Sequence, residues 1–555
     1  MAQPKEKIMK KITSLILSIA LLLTMVGFVP AAQADEKDIL NEVGTYPIVK
    51  EPIELRMFCI SMPNVEDYAT NDFTKYMEEK TGIKMIFETG GRDDWEQKLN
   101  LAFGTGDYPD VIMFVAPNQA KYGVKEHILI PLDDLIEANM PNYTKAMGQY
   151  INNTRQTDGH IYGIAGLNEC YHCKYAKKLW INNMWLEKIG VEEPKTTQEF
   201  YDVCKKFLEM NPNGIAIGGA AKGWNTRVEE WLTNPFILSP ANPLDFTIDA
   251  GLNPEGKVDI IGNKEQYREA LRYMRSLYDL GAFYPGNFTQ TEEQLRALAN
   301  QEGEPVLFLA AGTISNHIDA DSNPETYKHY KVLAPIAGPD GVARTTFMKY
   351  SGISDGDFFI TDKCKYPEAA LRWIDYFFTT EGALSSQYGA EEGKDWVLNP
   401  EGEVGLNGEP ALYKVLNPYS GEAQNHDWQD VQLKYFPATF RFGEATDPNI
   451  DVNTSAGIEK LLLEETKNKM EPYAQKDGDW DVLPSLKLTD EEITEIQTIG
   501  VELQNYITEN RVAFVTGTKD LDKDWDSYLQ GFDKLNLNKL LEVYQTAYDR
   551  ANANK

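Results

Sequence analysis

An α/β fold of two or three domains is the prediction for this 555-residue chain, and three observations carry it. Along the first part of the chain, short apolar strand signals alternate with helical patterns, the arrangement of βαβ units around a largely parallel sheet. A second unit of the same kind begins at Leu179-Trp-Ile181. The length, finally, exceeds what a single hydrophobic core organises.

The elements follow in order. Leu55 to Ile60 reads as a short apolar strand that includes Cys59. Asn71 or Asp72 can cap a helix with Phe73, Tyr76 and Met77 on one face, closed by Gly82. Lys84 to Phe87 is a strand, and Asp93 opens a helix with Trp95, Leu99 and Phe103 inward that Gly104 stops. Pro109 to Val115 is a buried strand. In the second unit, Thr196-x-x-Glu199 is a capping box for a helix burying Phe200, Val203, Phe207 and Leu208. Helices are expected at 264–280 and 291–300, with strands at Val306 to Ala310 and Asp357 to Ile360. Pro367 starts a helix with Leu371, Trp373, Ile374 and Phe377 inward. The last third is helix-rich, and Thr489-x-x-Glu492 caps a helix with Ile493, Ile496, Ile499, Leu503 and Tyr506 in register.

The N-terminus carries an export signal. Lys5, Lys7, Lys10 and Lys11 precede an apolar run from Leu15 to Val29, and Ala32-Gln33-Ala34 is an A-x-A cleavage site before Asp35. The run is shorter than the roughly 20 residues of a spanning helix, although an uncleaved anchor is the alternative. Its removal takes away four Lys and one Glu, so the net charge moves from −31 to −34. That excess argues against nucleic acid and anionic membranes, both of which attract basic faces. Five cysteines are too few and odd in number for a disulfide framework. Cys170-Tyr-His-Cys173 lacks a second ligand pair for zinc, leaving a local disulfide or two free thiols.

Enzyme and metal motifs are weak. Gly352-Ile-Ser354-Asp-Gly356 matches G-x-S-x-G, but a strand follows it where a nucleophile elbow needs a helix. The six histidines have no ligand spacing, and there is no H-E-x-x-H and no P-loop. Asp477-x-Asp479-x-Asp481 and Asp522-x-Asp524-x-Asp526 begin like calcium loops, yet have Val482 or Ser527 at position six and Leu488 or Asp533 at position twelve. No metal and no cofactor are predicted. A hydrolase using an Asp/Glu pair stays open on motif grounds.

The tail Tyr506-Ile-Thr-Glu-Asn-Arg-Val-Ala-Phe-Val-Thr-Gly517, then Asp524-Trp-Asp-Ser-Tyr528 and Glu542-Val-Tyr-Gln-Thr-Ala-Tyr548, resembles that of family-1 extracellular solute-binding proteins. Within that family it is similar to the oligosaccharide-binding branch of LipO-like and alginate-binding-like proteins. Met77-Glu-Glu-Lys-Thr-Gly-Ile83, Gly106-Asp-Tyr-Pro-Asp-Val-Ile112 and Leu179-Trp-Ile-Asn-Asn-Met-Trp-Leu-Glu-Lys-Ile-Gly190 through Phe200 extend the likeness over almost the whole mature chain. The resemblance implies a two-lobed periplasmic-binding-protein-like fold of type II, each lobe a mostly parallel sheet flanked by helices. It implies lobe 1 at 35–175 and 346–415 and lobe 2 at 176–345 and 416–555, with crossovers near 170–178, 343–352 and 410–420. It also implies a monomer that hands an oligosaccharide to the permease subunits of an ABC importer without catalysis. A peptide or other polar solute is the alternative ligand. The lipid-bearing Cys common in Gram-positive members is missing, since the first Cys is Cys59. The calcium loop of alginate-binding relatives is replaced by Asn211-Pro-Asn-Gly-Ile-Ala-Ile-Gly218, with Ile215 and Ile217 at ligand positions.

A sugar presents C–H faces and hydroxyls, so its site needs aromatic platforms and planar polar groups at the C-terminal ends of strands. The candidates are Asn64, Asn118, Tyr171, His172, Trp224, Asn225, Arg227 and Tyr350. Tyr388-Gly-Ala-Glu-Glu-Gly-Lys-Asp-Trp396 resembles the family's Y-G-x-E-G-x-x-[YW] segment with one extra residue, which adds Glu391, Glu392 and Trp396. Trp180, Trp185 and Trp373 read as core. The export signal predicts a mature protein that starts at Asp35 without lipid, and an intact mass carrying a diacylglyceryl group or residues before Asp35 would refute this.

Overall fold

The computed structural model describes residues 39–553 except 62–64, 92–93, 149, 241–248, 302, 304–305, 321, 351, 418–422 and 430–434. The export segment and Asn64 therefore lie outside the described residues. Two large cores organise the chain. The first surrounds a five-stranded sheet in the order Ile83–Gly90, Ile53–Ile60, Val111–Met113, Phe358–Ile360, Gly163–Ile164. The first three strands are parallel, with Ile53 opposite Ile83 and Met57 opposite Val111. Phe358–Ile360 enters antiparallel to both neighbours, because it arrives from the second lobe and not from a helix of its own lobe. Phe73, Leu99, Ile112, Phe359 and Trp373 fill this core.

The second lobe holds a four-stranded sheet in the order Tyr330–Val332, Leu179–Asn182, Val306–Ala310, Ile215–Gly218. Only the last pair is parallel, so both sheets are mixed where parallel strands were expected to predominate. Phe200, Leu271, Phe308, Leu503 and Tyr544 are buried together in its core. The helices follow their sequence signals. Asn71 accepts from Phe73 N–H at the start of Asp72–Thr81, and capping boxes open Thr197–Met210 and Asp490–Thr516. Trp95–Thr105 continues through Gly104 and stops at Gly106. There the left-handed backbone (φ +76°) lets the N–H close on the Phe103 carbonyl.

The chain crosses between the lobes three times. Leu167 belongs to the first core and Leu179 to the second; Ile336 to the second and Phe358 to the first. The third crossing falls later than the predicted 410–420. Trp428 still packs in the first core, and Phe436 and Phe440 join Leu384, Trp396 and Tyr413 in a small separate cluster. Leu461 is the next residue buried with second-lobe strands. Away from the crossovers, Lys125 pairs with Asp490 at 2.5 Å; at the second crossover, Asp355 accepts from Ser485 and Lys487 at 2.9 and 2.6 Å. Among the described residues, no helix is long and apolar enough to cross a membrane.

Candidate functional site

The second lobe's parallel strands, Ile215–Gly218 and Val306–Ala310, end at the same edge of the sheet, and the loops leaving them meet there. Ala220 N–H donates to the Thr226 carbonyl at 2.9 Å, and Thr226 Oγ1 donates to the Ala220 carbonyl at 3.1 Å. That closure presents Trp224 at the loop tip, 39% exposed. Gly312, after the second strand, donates its N–H to the Trp224 carbonyl at 3.2 Å. A Cβ on Gly312 would come within 2.3 Å of the indole, so the ring lies directly on a backbone that only glycine provides. His172 stands edge-on to it, with ring centroids 6.2 Å apart. Asn225 adopts φ +57° and Phe114, after the first lobe's third strand, φ +61°. Such left-handed non-glycine residues are uncommon and concentrate at functional loops.

The first crossover fixes His172. Cys170 and Cys173 form a disulfide, so the sulfurs of the Cys170–His172–Cys173 cluster are not thiolates and cannot ligate a metal as such. Lys178 donates to the carbonyls of His172 and Tyr175 at 2.8 and 2.9 Å. With no carboxylate beside it among the described residues to repay its desolvation, its pKa falls to about 7. Burial, helped by Lys178 and Arg441, also drives the His172 pKa well below the imidazole value. The ring is therefore neutral at physiological pH. Tyr171, next to it, donates to Glu471 at 2.8 Å.

Beside the tryptophan loop lies a cavity of about 520 Å³, walled by Asn225, Arg227, Glu229, Glu230, Arg511 and Met348. Its wall holds a buried charge network. Glu230 pairs with Arg227 and with Lys177 at 3.0 Å. Arg511 reaches Asp249 at 2.9 Å and Glu229 at 3.5 Å. Glu229 Oε2 has no hydrogen-bond partner among the described residues. Met348 N–H donates to the Lys174 carbonyl at 2.8 Å, which holds the second crossover against the first. Tyr350 follows it, 39% exposed, with the Lys349 ammonium 5.3 Å from its ring centre.

The structure thus brings His172, Trp224, Asn225 and Arg227 together, with Tyr171 and Tyr350 on the adjoining crossovers. Asn118 is exposed in the first lobe. Its Oδ1 accepts from Lys121 N–H at 3.0 Å, while Gln119 donates to the Asp355 carbonyl of the second crossover at 2.8 Å. Trp396 is a correction. It is 2% exposed, packs with Leu384, Tyr413 and Phe440, and donates Nε1–H to the Gly389 carbonyl at 2.8 Å. Glu391 pairs with Lys394 and Glu392 accepts from Leu398 N–H at 3.4 Å, so their carboxylates serve their own turn. The glycine-rich setting there has a folding cause: Gly389 has φ +120°, and a Cβ would meet His426 at 2.2 Å.

Ser354 of the G-x-S-x-G run donates to Asp357 at 2.7 Å and accepts from Gly166 N–H at 2.9 Å. The second bond joins the segment before the first crossover to the second crossover, while the first is local. Of the aspartate runs, Asp481 pairs with Lys349 and Asp522 with Arg268 and Arg272. Ile215 and Ile217 lie in a strand, Ile217 in the second core. Sequence reasoning missed Lys177, Glu229, Glu230, Asp249 and Arg511. One signal was legible: Arg511 follows Leu503 and Ile507 and precedes Phe514 on the helix's buried face, where a charge needs partners.

Residues 62–384 match the family described as bacterial extracellular solute-binding protein. The chain is 25% identical over 551 residues to the fructooligosaccharide ABC transporter substrate-binding protein FusA of Streptococcus pneumoniae, covering 94% of this chain and 95% of FusA. The polygalacturonan/rhamnogalacturonan-binding protein YtcQ of Bacillus subtilis is 24% identical over 304 residues, 51% of this chain and 54% of YtcQ. Among solved structures, S. pneumoniae FusA in complex with kestose superposes with TM-score 0.72 at 22% identity, over 91% of this chain and 100% of that one. A solute-binding protein associated with an HMO-binding ABC transporter of Bifidobacterium longum infantis gives 0.74 at 16% identity, over 90% and 99%. These likenesses give the fold as that of type II solute-binding proteins.

The burial of Trp396 gives a direct expectation. Trp396→Ala, like the core control Trp373→Ala, should destabilise the protein by about 3–5 kcal/mol in urea unfolding. A Trp396→Ala protein as stable as the parent would restore that residue to the list of exposed candidates.

Proposed function

The chain belongs to the bacterial extracellular solute-binding protein family, and on that premise we propose that it is the substrate-binding component of an ABC importer that captures an oligosaccharide. The observation that carries this reading is the Trp224 indole. It is exposed, laid on Gly312 and flanked by His172, and it opens beside a cavity edged by an amide and guanidinium groups. A sugar ring would stack its C–H face on the indole while its hydroxyls met the polar wall. The fructooligosaccharide named for FusA supports the ligand class, and the polygalacturonan and rhamnogalacturonan named for YtcQ support a carbohydrate. The three crossovers form the hinge, and closure of the lobes on the sugar is the signal that the permease subunits read. The protein is exported, trimmed at Asp35, monomeric and not lipid-anchored through its signal segment, and it binds without turnover.

Two measurements test this. A thermal-shift screen against an oligosaccharide panel should find ligands that raise the melting temperature by mass action and that are recovered uncleaved. Loss of the bound sugar at catalytic rates, abolished by changing an Asp/Glu pair, would make the protein a hydrolase. Trp224→Ala should leave the unliganded melting temperature nearly unchanged, because the ring is exposed. It should weaken the best ligand by about 1–3 kcal/mol, the scale of aromatic stacking on a flat ring. Unaltered affinity in calorimetry would remove Trp224 from the site.

A further inference from the structure

The charges around the second-lobe cavity go further than the ligand's general class. Three cations face it, Lys177 and Arg511 buried and Arg227 partly exposed. Each already has a carboxylate. Lys177 and Arg227 share Glu230, and Arg511 has Asp249 and Glu229. Three cations meet three carboxylates, and the ensemble carries no net positive charge before any ligand arrives. Lys222 also lines the cavity, but it is exposed, and an ion pair with a solvated lysine contributes little because water and salt screen it.

A ligand carboxylate entering this cavity would lose its hydration without finding an uncommitted buried cation among the described residues. The effective penalty is several kcal/mol per buried ion. It would also meet a wall that includes Glu229 and Glu230, in a chain of net charge −31. A hydroxyl behaves differently. It can accept from the neutral amides of Asn225 or Gln504 on the wall and donate to their carbonyl oxygens. The cavity is large enough for sugar units, since small-molecule pockets run from about 300 to 1,000 Å³.

We propose that this cavity is a subsite for an uncharged glycosyl unit, and that the protein selects neutral oligosaccharides against those bearing uronate or sialate groups. The proposal rests on the oligosaccharide-binding reading above and narrows it. Selection arises from the pre-paired charges, which leave neutral amides for a hydroxyl and no uncommitted buried counter-ion for an acid.

Calorimetry on the mature protein tests it with size-matched probes. Neutral fructo-, xylo-, manno- and galacto-tetrasaccharides are compared with tetragalacturonate and sialyl-lactose, at low and moderate salt. Binding should be confined to neutral probes, the acidic ones being at least tenfold weaker at both salt concentrations. An acidic probe that binds as tightly as the best neutral one would overturn the selection while leaving the oligosaccharide reading intact. Failure of every probe of both classes would instead defeat that reading. The location is tested with Thr508→Trp, because Thr508 lines the cavity and is exposed, so the fold should tolerate the change. The bulky ring should fill the mouth and weaken the best neutral probe tenfold or more. Unchanged affinity would mean that the sugar sits elsewhere.

Discussion

The architecture depends on one strand insertion. Phe358–Ile360 pairs antiparallel between Val111–Met113 and Gly163–Ile164, so the first lobe's sheet is completed by chain returning from the second lobe. The entropic penalty of joining segments some 250 residues apart grows only with the logarithm of the loop length. Burial of Phe358, Phe359 and Ile360 in the first core offsets it. The insertion forces crossovers to run side by side. Asn168 N–H bonds to the Gly352 carbonyl at 2.7 Å and Met348 N–H to the Lys174 carbonyl at 2.8 Å. Backbone hydrogen bonds between adjacent linkers leave few torsions free, which suits a hinge more than a loose tether.

From those paired crossovers the site inherits its rigidity. His172 sits in a disulfide-closed turn whose carbonyl is held by Lys178, and its ring stands against Trp224. The tryptophan is supported from below by Gly312. Each support comes from a different stretch of chain. The indole is presented to solvent without being free to fold back, so little side-chain freedom remains to be lost on binding a ring.

The same lobe tolerates buried charge around the cavity because Lys177 and Arg511 each found an acid. Removing one partner would strand the other in a low-dielectric wall, which is far more damaging than replacing a whole pair. Arg511 reaches across from the helix Asp490–Thr516 to Glu229 and Asp249. It ties a helix laid down late in the sequence to loops that flank the candidate site, making that helix part of the cavity wall.

The sequence by itself determined the local elements, because their causes are local. Hydrophobic period, capping boxes at Thr196 and Thr489, and a helix-ending glycine at Gly82 each act within a few residues. The tail and lobe-start motifs also carried the family, and with it the two-lobed fold. Tertiary structure alone decided three things. Strand direction in the sheets depends on where the chain comes from, which periodicity does not encode. The fates of Trp224 and Trp396 diverged although both sit among glycines and polar residues. One glycine loop stands at a strand end over Gly312, and the other folds inward over Gly389. The charge partners of Arg511 lie more than 250 residues away, and only packing of the finished lobe brings such groups within bonding distance.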